Sequence, residues 1–152
     1  MAQVTTHSLP IDSELRRYVK QEDFIDCYAI ESDLPPRRAA EIITNFPAWA
    51  RLLVKIRNAM TAPFGLLKEG PQSADKVGFF PLELDTAQEV IAGFNDTHLN
   101  FRVSIMALDG RIYLATWVHP HNKLGKYYLK TILPFHNLIV HNALRRVHKA
   151  SF

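Results

Sequence analysis

Imidazole chemistry is the first thing this chain offers. Three of its seven histidines fall within residues 116–137, "TWVHPHNKLGKYYLKTILPFHN". An imidazole can ligate a metal, move a proton near neutral pH, or exchange hydrogen bonds with a ligand. His119 and His121 are spaced H-x-H, which on a strand puts both rings on one face, a usable metal spacing. Pro120 marks the strand's end, however, and sends His121 into the turn that follows. No Asp or Glu is near in sequence, and Asn100 is the cross-strand neighbour that strand register supplies. No metal site and no cofactor are expected. His136 stands among Ile132, Ile139 and Val140 at helical spacing. A buried imidazole needs a hydrogen-bond partner or a ligand, and Thr116 is the polar side chain expected on the sheet surface facing it. Tyr128, then Tyr28, are the next candidates for polar groups in an apolar layer. Arg57 lies one position beyond an apolar helical stripe and is read as lying along the surface. Ser104 and Cys27 have no activating context. No phosphate-cradling glycine loop, nucleophile motif or carboxylate pair is present.

These residues need elements to hold them. The 152 residues suggest one domain, with 1–21 as a loosely ordered arm and 22–152 as the folded unit. "DFIDCYAIE" reads as a strand with Phe24, Asp26, Tyr28 and Ile30 on one face. Residues 32–46 follow as a helix, capped by Ser32 or Asp33, with prolines in its first turn. "AWARLLVKIRNAM", 48–60, carries an apolar stripe at i, i+3, i+4, i+7 and predicts a second helix. From residue 79 the period becomes two. "FFPLELD", "QEVIAGF", "HLNFRVSIMAL" and "RIYLATWVH" are four strands, and Pro81 argues for an edge position for the first.

Asp109-Gly110 is a strong two-residue hairpin signal. With Leu108 facing Arg111, Leu99, Phe101, Val103, Ile105 and Ala107 share a face with Ile112, Leu114, Thr116 and Val118. That almost wholly apolar face is the core face, and Val90, Ala92 and Phe94 join it. The opposite face pairs Arg102 with Trp117 and Met106 with Tyr113, and its mixed character predicts that it looks outward, with an exposed cation–π pair. Residues 123–149 form a long helix with Asn122 as N-cap. At 100° per residue, Leu124, Tyr128, Leu129, Ile132, Phe135, His136, Ile139, Val140, Ala143 and Val147 fall on one stripe, and Pro134 falls on the solvent side, where it is expected to kink the helix. The sum is an α+β domain, a curved antiparallel sheet gripping a long C-terminal helix, with two short helices after the first strand.

Composition narrows the classes. A net charge of +3 is mild, so the basic residues of the last third read as a solvated helix face and no nucleic-acid partner is expected. One cysteine permits no internal disulfide. The start lacks the pattern of a signal peptide and no apolar run reaches a membrane span, so the cytoplasm is the expected location.

Four stretches together, "WARLLVKIRNAMTAPFGL", "GFNDTHLNFRVSI", "ATWVHPHNKLGKYYL" and "PFHNLIVHNALRRV", resemble a bacterial family of unknown function, DUF family 2867. That family is similar to the helix-grip class of START and polyketide-cyclase-like (SRPBCC) domains. The resemblance implies a hydrophobic small molecule held between sheet and helix; it implies no catalytic residues. From the residues, Phe94, Phe101, Val103, Thr116, Tyr128, Ile132 and His136 are expected to line that space, with His136 and Tyr128 orienting an apolar or amphipathic ligand. Two other readings stand beside it. One is a cyclase- or hydratase-like enzyme with His136 as acid/base. The other is an interaction module using the outer sheet face around Arg102, Tyr113 and Trp117. A homodimer is compatible with all three.

Overall fold

The computed structural model describes residues 3–20, 23–45, 48, 52, 76–77, 80–95 and 99–152. The second helix expected over 48–60 falls, apart from Ala48 and Leu52, outside the described residues, and so does Arg57. The strands are β1 (Thr5–Thr6), β2 (Phe24–Glu31), β3 (Lys76–Val77), β4 (Phe80–Asp85), β5 (Glu89–Asn95), β6 (Leu99–Leu108) and β7 (Arg111–Pro120). A 3-10 turn covers Glu14–Arg17; the helices are α1 (Pro36–Thr44) and α2 (Lys123–Ala150). All described strands form one antiparallel sheet in the order β1-β2-β7-β6-β5-β4-β3. The chain is α+β, an antiparallel sheet with a long C-terminal helix on one face.

The β6–β7 hairpin has the register read from Asp109-Gly110, from Leu108 opposite Arg111 to Asn100 opposite His119. Both turn residues adopt positive φ, 53° and 74°, which the twist of a two-residue hairpin requires and which Gly and Asp tolerate. Gly93 (φ 138°) meets a different constraint: a Cβ there would lie 2.4 Å from the Phe101 carbonyl oxygen. β4 bears Pro81 and is the last strand of any length on its side, with only two-residue β3 beyond it.

The inner face holds the main core. Ile30, Val90, Ile105, Ile112 and Leu114 of the sheet pack with Ala39, Ala40 and Ile43 of α1 and with Val140, Ala143, Leu144 and Val147 of α2. Each buried Val, Leu or Ile among them contributes about 1.5–3 kcal/mol by leaving water. Asn122 caps α2 as expected, its Oδ1 accepting from Gly125 N at 2.9 Å. Pro134 sits inside α2 on its exposed side. Phe135, expected in the stripe, is 43% exposed; at the margin of a wide stripe, a curved sheet does not reach it. α1 starts differently from the expectation. Neither Ser32 nor Asp33 caps it; Pro35 is the cap residue and Pro36 occupies the first turn, where a missing N–H costs nothing. The Ser32 hydroxyl instead bonds Ser151 Oγ at 2.6 Å and accepts from Leu34 N. The other end of α1 is closed by Arg146 of α2, which donates to the carbonyls of Ile42 and Asn45 at 2.6 and 2.7 Å.

The outer face is not open to solvent, which corrects the sequence expectation. Leu15 is fully buried, and it packs with Leu9, Tyr18 and Val19 of the N-terminal segment over Cys27, Ile91, Ala115 and Trp117. Glu89, a buried carboxylate on this face, ties the segment down. It accepts from Ser13 Oγ at 2.5 Å, from Glu14 N at 2.9 Å and from the Ser104 hydroxyl. Arg102 is buried too. Rather than lying exposed over Trp117, it pairs with Glu83 at 2.7 Å and sits 5.4 Å from the Tyr18 ring centroid. A mixed face looks outward only when nothing amphipathic covers it; here the chain's own first segment does.

Candidate functional site

The candidate site lies between the inner sheet face and the first half of α2. Across the sheet, Phe94 faces Phe101, Phe101 faces Val118, and Val103 faces Thr116, which in turn faces Asp26. Directly opposite residues share a face, so these side chains form one surface. Phe94 and Phe101 meet edge to face, with ring centroids 4.9 Å apart. Tyr128, Ile132 and His136 follow at four-residue spacing on α2, one above the other, and all three are half-buried. Of the three, His136 meets the sheet, at Phe24 and Asp26 of β2.

The group that the sequence reading passed over is Asp26. His136 Nε2 donates to Asp26 Oδ2 at 3.0 Å, with His136 20% and Asp26 14% exposed. Asp26 Oδ1 is buried and has no hydrogen-bond partner among the described residues. Thr116, expected to be the polar neighbour of His136, is instead the cross-strand neighbour of Asp26. The signal was present: alternation along β2 put a carboxylate on the same face as Phe24, Tyr28 and Ile30. Phe24 lies edge to face with His136, 6.2 Å between ring centroids, and Tyr28 lies 4.9 Å from the His141 ring. Burial, and then the negative charge of Asp26, push the Tyr28 phenol above its ordinary value. The same two causes push the Cys27 thiol up to about 11, so it stays protonated at neutral pH and offers no thiolate.

The other two histidines sit apart from this layer. His119 is on the outer face, where its Nδ1–H donates to Asp23 Oδ1 at 2.6 Å; Asp23 Oδ2 accepts from Trp117 Nε1 at 2.8 Å and from Lys20 N at 2.9 Å. Burial alone would raise the Asp23 carboxyl, but these hydrogen bonds outweigh it and hold it below the ordinary range. Asp23 was also missed, because no sequence pattern brings residue 23 beside residue 119; only the β2–β7 pairing does. His121 stands at the start of α2, 2.6 Å from Asn95 Oδ1. Among the described residues, no three His, Cys, Asp or Glu side chains are placed to hold a metal ion, and no helix is long and apolar enough to cross a membrane.

A shallow groove of about 240 Å³ lies elsewhere, at the far end of the β2–β7 ladder, lined by Ser32, Asp33 and residues 107–111 of the hairpin turn. It holds none of the seven residues. No curated protein and no solved structure matches the chain. The family model described as a protein of unknown function, DUF2867, matches residues 18–143, and the chain belongs to that family.

Proposed function

We propose that this domain binds an apolar or amphipathic small molecule between the inner sheet face and the first half of α2. Phe94, Phe101, Val103 and Ile132 contact its apolar body, and Tyr128, Thr116 and His136 orient its polar end. The observation that carries this reading is the His136–Asp26 pair, two titratable side chains set into a largely apolar layer. Burying a carboxylate and an imidazole there is costly, and a core that needed only stability would use aliphatic residues. Resemblance to helix-grip domains of the START and polyketide-cyclase-like class adds to the reading, which also includes a cytoplasmic location, no nucleic-acid partner and room for a homodimer.

The test is binding of a neutral apolar fluorophore, N-phenyl-1-naphthylamine. The wild-type chain should enhance its fluorescence saturably. Val103→Trp, which fills the layer, should weaken binding by about tenfold or more while keeping the circular dichroism of the wild type. Equal binding by both proteins would place the dye elsewhere and remove the reading.

A second reading has its own support in the 3.0 Å contact between His136 and Asp26. A carboxylate that fixes an imidazole's tautomer is how enzymes orient a general base. In that case His136→Gln would keep ligand affinity and abolish turnover of the bound molecule.

A further inference from the structure

Asp26 has two oxygens, and His136 satisfies only Oδ2. Oδ1 is shielded from water and has no donor among the described residues. A buried carboxylate oxygen left so costs more than an ordinary lost hydrogen bond, and native proteins seldom leave one without a partner. The side chains placed around it do not donate to it. Phe24 has no donor, and the Thr116 hydroxyl, on the residue opposite Asp26 in the ladder, makes no hydrogen bond to Oδ1. Tyr28 stands two residues along the same strand face. A carboxylate beside a neutral imidazole is a net anion, and beside an imidazolium it makes a pair that is neutral overall. In neither state does it offer an anion a net positive partner.

From this geometry we infer that the ligand's polar end is a hydrogen-bond donor, an ammonium or a hydroxyl, seated on Asp26 Oδ1, and that free carboxylates are excluded. This rests on the reading of the layer as a ligand site. An ammonium completes the carboxylate's bonding and neutralises it; a hydroxyl completes the bonding alone. A carboxylate would bring a second negative charge into a layer of low dielectric, where like charges repel far more than in water. Specificity would then come from rejection as much as from attraction.

The experiment is calorimetric titration of the full chain at neutral pH with decylamine and decanoate below their micellisation thresholds and decanol below its solubility limit. Decylamine and decanol should bind, and decanoate should bind at least about tenfold more weakly. The chain's charge of +3 favours decanoate in any non-specific association, so amine preference cannot arise that way. Asp26→Asn should bring decylamine and decanoate to parity. Decanoate binding as tightly as decylamine in the wild-type chain overturns this inference and leaves the ligand layer standing. Binding by none of the three overturns both. The wild-type comparison decides even where Asp26→Asn fails to fold, and an unchanged ratio in a folded Asp26→Asn protein also overturns the inference.

Discussion

Asp26 sets the terms for His136. The imidazole is held by a carboxylate that needs it, so removing the ring does more than delete a polar group from an apolar stripe. His136→Leu leaves Asp26 with both oxygens unpaired and should destabilise the chain by about 1–3 kcal/mol, read from urea denaturation. Replacing both residues by leucine should cost less than the sum of the single changes, since neither is then left orphaned. A His136→Leu protein as stable as wild type would show that the pair does not matter to the fold. Two outer-face carboxyls make a separate prediction about pH. Asp23 lies below its ordinary value for the reasons given above. For Glu83, burial would raise the carboxyl, but hydrogen bonds from Arg102 and Tyr18 outweigh that and lower it. Both groups therefore stabilise the folded chain above the ordinary carboxylate range, and that contribution is lost as pH falls through their folded values. Asp23→Asn with Glu83→Gln should lower stability at neutral pH and flatten its fall below about pH 4. A melting-temperature profile with unchanged slope would contradict this.

The β6–β7 hairpin and the N-terminal segment mark the two extremes of what local sequence encodes. Asp109-Gly110 fixed a turn, the turn fixed a register, and the register placed Val103, Thr116 and Phe101 on the core face, all from contacts between near neighbours. The same logic carried α2 from Asn122 to its last turn and put His136 inward. The N-terminal segment gave no such handle. Leu15, Tyr18 and Val19 stand at i, i+3 and i+4, but so short a stretch specifies no helix of its own, and their partners Ile91, Ala115 and Trp117 are far along the chain. Asp26 and His136, 110 positions apart, were individually legible as inward-facing; their meeting depends on which strand pairs with β7, a non-local choice that no short pattern records. The segment's role can be tested directly. Leu15→Ala should cost about 2–4 kcal/mol, because Leu15 is fully buried, and should shift Trp117 emission to the red as the outer face opens. Gly93→Ala should cost about 2 kcal/mol or more, since a Cβ at φ 138° runs into the Phe101 carbonyl. Wild-type melting in either variant would refute the corresponding packing.

At the scale of the whole molecule, one sheet is covered on both faces but by unlike material. The outer face is closed by the chain's own first residues, so an interaction surface at Arg102, Tyr113 and Trp117 would first have to displace Leu15 and Tyr18. The inner face is closed by α1 and the second half of α2, where Val140, Ala143, Leu144 and Val147 are buried. The first half of α2 is less committed: Tyr128, Ile132 and His136 are half-buried, and His136 meets the sheet at Phe24 and Asp26. Aliphatic packing is concentrated toward the C-terminal end of the helix, and the His136–Asp26 pair lies outside it. The chain's fold was legible because amphipathic periods dictate layers; the His136–Asp26 pair was not, because it depends on side chains brought together from β2 and α2. The most direct test of that layer is a methyl-labelled NMR titration with decanol. Saturable shifts should concentrate on Val103, Ile132, Ile139 and Val118, with intermolecular contacts from the decanol chain to Phe101. Shifts confined to the hairpin groove around Ala107 and Leu108, or no saturable shift at all, would contradict it.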